Sequence, residues 1–107
     1  MFKILITDEA RDAIDGLPLH LKLKMFDNIE LLAEFGNELK KPYVEAFGAG
    51  LFELRAKSVE GIARAFFTYD AGKIVIIFHA FVKKTQKTPS NELERARKIL
   101  KELKDKK

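Results

Sequence analysis

The chain has 107 residues, which at ~150 residues per domain leaves room for a single domain, residues 1–107. Hydrophobic residues make up 47% and charged residues 34%, too apolar for a disordered chain, and the longest apolar run, 74–82, falls far short of the ~20 residues that cross a bilayer. The net charge of +4 is uneven: residues 1–82 hold ten basic and twelve acidic side chains (net −2), whereas 83–107 hold ten basic and four acidic (net +6).

Residues 2–7 are rich in β-formers and read as a first strand, and 8–17 as a short helix that Thr7 can cap. Asp8, Glu9, Asp12 and Asp15 stand where a secretory signal would carry an apolar stretch, which points to the cytoplasm. From Pro18 onward Leu21, Met25, Ile29, Leu32 and Ala33 recur at spacings of three and four, with Lys22, Lys24, Asp27, Glu30 and Glu34 mainly on the other face. This predicts an amphipathic helix ending near Gly36. Residues 36–50 mix Pro42 with Gly36, Gly48 and Gly50, hold no period, and read as an irregular connection.

Three strands follow, 51–57, 62–69 and 73–82, joined by segments short enough for antiparallel hairpins, so a meander is the simplest topology. Thr88-Pro89 reads as a helix cap followed by proline at the first helical position. The helix then runs from about Pro89 to Lys104, with Leu93, Ala96, Leu100 and Leu103 as its packing stripe and Ile99 beside them. Cysteine is absent, which excludes disulfides and thiolate chemistry. His20 and His79 are too few and too far apart for a histidine-built zinc site, so neither metal nor cofactor is expected.

Alternation along the strands sorts side chains into two faces. Phe52 and Leu54 oppose Glu53, Arg55 and Lys57; Ala65, Phe67 and Tyr69 oppose Arg64, Phe66 and Thr68. In the last strand Ile74, Ile76, Phe78, Ala80 and Val82 form an apolar set opposite Val75, Ile77, His79, Phe81 and Lys83. One face can bury itself under the two N-terminal helices. The other gathers Arg55, Arg64, His79, Phe81 and Lys83, and cations so aligned repel unless an anion or an acidic partner neutralises them. A phosphate-binding surface explains the arrangement. Each member also has a structural reading: Arg55 paired with Glu53 or Glu60, His79 satisfied within the core, Phe66 and Phe81 as packing. The basic C-terminal stretch attracts polyanions by counterion release, and is equally readable as a solvated helix end.

The segments LFELRAK (51–57), IARAFFTYD (62–70) and KIVIIFHAFVKKTQKTP (73–89), followed by a helix with ELERARK (92–98), resemble the HigB-like, phage-derived branch of the RelE/ParE toxin superfamily. The resemblance spans nearly the whole chain and is most specific over residues 51–98. It implies an α+β fold: a small antiparallel sheet of about four strands, two N-terminal helices packed on one face, and a C-terminal helix, with the active surface on the face away from the helix pair. It further implies the toxin of a type II toxin–antitoxin pair. Such a toxin cleaves messenger RNA, usually on the ribosome, and is held inactive by a cognate antitoxin that often carries a helix-turn-helix, touching DNA only through that antitoxin.

The implied chemistry is attack of the RNA 2′-hydroxyl on the adjacent phosphorus, leaving a 2′,3′-cyclic phosphate and a 5′-hydroxyl. Fixed positive charge must stabilise the phosphorane-like transition state, a task suited to the guanidinium forks of Arg55 and Arg64. His79 and Lys83 are candidates for proton transfer, and Lys57, Lys84, Thr85 and Lys87 for holding the RNA backbone. This chemistry requires that the two guanidinium groups converge and remain uncovered. Alternatives from other classes are a ParE-like protein that poisons DNA gyrase by binding, and an inactive remnant that only binds its antitoxin.

Overall fold

The computed structural model describes residues 1–83 and 87–106. A five-stranded sheet is built from β1 (Lys3–Ile6), β2 (Val44–Gly48), β3 (Leu51–Ser58), β4 (Gly61–Asp70) and β5 (Ile74–Lys83), in the order β1-β5-β4-β3-β2. Strands β3, β4 and β5 form the expected antiparallel meander, β2 extends it at one edge and β1 lies parallel to β5 at the other, so the sheet is mixed and has five strands where about four antiparallel ones are expected. Helices α1 (Asp8–Asp15) and α2 (Leu19–Phe35) fill the crossover between β1 and the meander, and α3 (Ser90–Asp105) closes the chain.

Local chemistry sets the helix limits. The Thr7 hydroxyl accepts the Ala10 N–H at 3.3 Å, as a cap should, and Asp8 and Glu9 occupy the positive end of the α1 dipole. Helix α2 ends at Gly36, whose φ of 54° and ψ of −127° few other residues tolerate; an added Cβ there would also run into the Phe2 ring. Part of the segment expected to be irregular is in fact strand β2. Its hairpin with β3 turns through Gly48, Ala49 and Gly50, all at positive φ, so the glycines that broke the pattern mark the turn and leave the strand intact.

The two faces of the sheet carry separate cores. Against α1 and α2 pack Leu54, Ala56, Ala63, Ala65, Phe67, Val75, Ile77 and Ala80, together with Ile14, Leu21, Met25 and Leu32. Against α3 pack Leu51, Phe66 and Phe78, with Ala96 and Leu100 from the helix and Phe47, Phe81 and Leu93 around them. The unbroken alternation expected in the last strand does not hold. A bulge moves the β4–β5 register from Phe66↔His79 to Phe67↔Ile77, making Phe78 the extra residue. Val75, Ile77 and Ala80 thereby face the helix pair, while Phe78 joins His79 and Phe81 on the α3 side. Phe66, Phe67 and Phe78 are each large, so one strand shift satisfies both cores at once.

Candidate active site

Strand register places the sequence-predicted residues on one face in three cross-strand rows. Glu53, Phe66 and His79 form the first; Arg55, Arg64 and Phe81 the second; Lys57, Ile62 and Lys83 the third. Arg55 and Arg64 are directly paired, an arrangement that would repel if nothing stood between the charges.

A buried carboxylate and a hydroxyl stand there. Arg55 Nε donates to Glu53 Oε1 at 2.6 Å, and Thr88 Oγ1 donates to Glu53 Oε2 at 2.9 Å. Arg64 Nη1 donates to Thr88 Oγ1 at 2.9 Å, and Arg55 Nη2 reaches the same oxygen at 3.4 Å. One hydroxyl therefore uses its proton on Glu53 and both lone pairs on guanidinium groups, which is its full hydrogen-bonding capacity. Burial lowers the Arg64 pKa below the ordinary guanidinium value; Glu53 opposes that shift, and the neighbouring Arg55 charge adds to it.

The convergence of the two guanidinium groups is as expected, but their exposure is not. Arg64 and Glu53 are fully buried, and only Arg55, with its side chain 25% accessible, opens to solvent. Helix α3 and the residues leading into it lie across the face that the sequence leaves bare, because Leu51, Phe66 and Phe78 on that face need an apolar cover. Thr88 does not cap the helix as its position before Pro89 predicts. Helix α3 begins at Ser90 with no side-chain cap, and the Thr88 hydroxyl is spent on Glu53 and the arginines.

His79 Nε2 lies 2.8 Å from Glu92 Oε1, on the first turn of α3, with its ring stacked on Phe66 at 6.0 Å. One strand, β4, lies between it and Arg55, so two strand spacings set a lateral span of roughly 10 Å, and the structure does not bring His79 to the arginine that opens outward. Lys57 and Lys83 flank Ile62 and are exposed, as is Lys87. Lys84 and Thr85 lie outside the described residues. Among the described residues no three His, Asp or Glu side chains gather in a metal-holding arrangement.

The open side of Arg55 forms part of a cleft of about 590 Å³ at the edge of the sheet, where β3 runs on past the start of β2. Lys57 and Ile62 line it from the sheet, Lys24 and Asn28 from α2, and residues 41–45 from the segment before and into β2. Asn28 is buried and its amide donates to the Arg55 carbonyl at 2.8 Å, which fixes α2 against this stretch of β3. Sequence reasoning missed Thr88 and Glu92 as partners and Lys24, Lys41 and Tyr43 as cleft residues. Period and composition carry no signal for them, since Lys24 reads as a solvated helix face and residues 41–43 as a loop.

Residues 12–101 match the family described as phage derived protein Gp49-like (DUF891). The chain belongs to this family. Among solved structures, the Gp49-like chain resembles one in the toxin–antitoxin complex RelBE2 from Mycobacterium tuberculosis, with a TM-score of 0.59 and 19% identity over 77% of this chain and 98% of that one. It also resembles one in the archaeal RelE–RelB complex from Pyrococcus horikoshii, with a TM-score of 0.58 and 16% identity over 80% and 98%. These likenesses establish a RelE-type fold for the Gp49-like chain, as the resemblance of residues 51–98 implies. No curated protein sequence matches it.

Proposed function

We propose that this Gp49-like chain is the toxin of a toxin–antitoxin pair and acts as a metal-independent endoribonuclease on messenger RNA, in the cytoplasm and on the ribosome. One observation carries the reading: Arg55, held by the buried Glu53 beside the covered Arg64, opens into a cationic cleft, so one guanidinium, and not the uncovered pair the sequence led us to expect, is offered to a phosphate. A fixed guanidinium fork facing such a cleft is the kind of charge that stabilises a phosphorane-like transition state. The fold supports the same reading, since one of the similar structures is of a toxin–antitoxin complex, RelBE2, and another of a RelE–RelB complex.

In this reaction the RNA 2′-oxygen bonds to the adjacent phosphorus as the bond to the 5′-oxygen breaks. The products are a 2′,3′-cyclic phosphate and a 5′-hydroxyl. Arg55 contacts the phosphate, and Arg64 stands behind it as a positioning residue that shares its oxygen partner. Lys83, exposed in the row next to the arginines, is the candidate for proton transfer. His79 is engaged with Glu92 and holds the start of α3, and Lys57 and Lys87 neutralise flanking phosphates.

Inducing the chain in a bacterial host and following labelled methionine and thymidine incorporation tests the proposal. Protein synthesis should stop first, with new 5′-hydroxyl ends on cellular messages, and co-expression of a neighbouring antitoxin should prevent both. DNA breaks preceding any fall in protein synthesis would overturn the ribonuclease reading in favour of a gyrase poison. No toxicity at all would indicate an inactive remnant.

A further inference from the structure

The cleft beside Arg55 is more than an entrance to the arginine pair. Four cations line it, Lys24, Lys41, Arg55 and Lys57, against the single carboxylate of Glu45. Among the described residues neither Lys24 nor Lys57 is in a salt bridge, and the Lys41–Glu45 pair at 3.4 Å is a surface contact that solvent weakens. The cleft is also lined by Tyr43, 37% exposed, with Pro42 and the buried Ile62. Its volume falls in the ordinary range for ligand pockets, roughly 300–1,000 Å³. Cations lining one cleft with an accessible aromatic ring match the chemistry of a nucleotide, which presents a flat base and a charged phosphate on either side of it. An acidic peptide would use the lysines and leave the ring without a role.

We infer that this cleft is a binding site for one nucleotide of single-stranded RNA next to the scissile bond, with the base on Tyr43 and the flanking phosphates on Lys24, Lys41 and Lys57. The inference rests on the ribonuclease reading for its substrate class and extends the site onto α2 and the segment leading into β2. It makes Tyr43 a sequence-tolerant platform, since every base has a stacking face, and it makes the three lysines affinity residues that read no sequence.

Fluorescence anisotropy of a labelled, uncleavable 2′-O-methyl RNA decamer, titrated at several salt concentrations, tests this. Tyr43→Ala should weaken binding roughly fivefold or more, while Tyr43→Phe keeps it. The double variant Lys24→Ala/Lys41→Ala should flatten the slope of log affinity against log salt by about 1.4, the value for two lost phosphate contacts on a single strand. Lys3→Ala, exposed on β1 at the opposite edge of the sheet, should bind as the wild type does. Cleft variants that bind as tightly as the wild type would overturn the inference, as would a chain that binds poly-glutamate and not the RNA probe. If the RNA effects appear but no 5′-hydroxyl ends form, the cleft stands and the nuclease reading falls. If RNA is cut equally well by wild type and cleft variants, the nuclease stands and the cleft falls.

Discussion

Glu53 is the residue on which the arginine pair depends. Fully buried, it holds Arg55 directly and Arg64 through the Thr88 hydroxyl, so two like charges can share one cross-strand position. Glu53→Gln removes the carboxylate that holds Arg55 and Thr88 and should cost about 3 kcal/mol, as expected when a buried ion pair loses one partner, read as a lower urea midpoint. Thr88→Val leaves three polar groups short of one bond each and should cost about 1–3 kcal/mol, with Thr88→Ser close to wild type. The arginines were legible because alternation with period two puts Arg55 and Arg64 on one face at paired positions. The Glu53–Arg55 contact was legible as one of two surface pairings, though not as a buried one. Thr88 was not legible: Thr-Pro ahead of a helix has the local signature of a cap, and its true partner lies 35 residues away in sequence.

At the level of elements, α3 decides what the sheet face shows. Its apolar stripe was plain from the spacing of Leu93, Ala96 and Leu100, but the surface it covers was fixed by the β5 bulge, which puts Phe78 beneath it. Period-two reading has no means of seeing one inserted residue. Besides the apolar stripe, polar contacts tie the helix down: Glu92 to His79 at its start, and Arg97 Nη2 to the Phe47 carbonyl at 2.7 Å on the β2–β3 hairpin. Leu100→Ala should therefore cost about 2–5 kcal/mol, the usual range for a buried leucine truncation, and should raise the accessibility of Arg64 to covalent arginine reagents. At the other end of the fold, Gly36→Ala meets both a forbidden backbone conformation and the Phe2 ring. It should destabilise by about 1–3 kcal/mol or more, measured as a shift in thermal midpoint.

Across the whole molecule the two faces divide the work: α1 and α2 seal an apolar core, and the α3 side holds the charged cluster above a smaller one. No helix among the described residues is long and apolar enough to cross a membrane. Stability of the larger core has a pH signature. Tyr69 packs among Phe2, Phe52 and Phe67, and burial raises its phenol above the ordinary 10.0. The native state thus keeps a proton that the unfolded chain releases, so stability is full below the unfolded pKa and falls as pH rises from about 10 toward the raised native value. Tyr69→Phe should lose less stability than the wild type between about pH 8 and about pH 10.5 in urea titrations; an identical loss would contradict the burial of that phenol. The most direct measurement is single-turnover cleavage of ribosome-bound messenger RNA by wild type and Arg55→Ala, each shown by thermal melting to be folded. Arg55 as the guanidinium of the pair that opens to the substrate predicts a fall of about 100-fold or more with Arg55→Lys also impaired, whereas a folded Arg55→Ala protein cutting within a few-fold of the wild-type rate would contradict it.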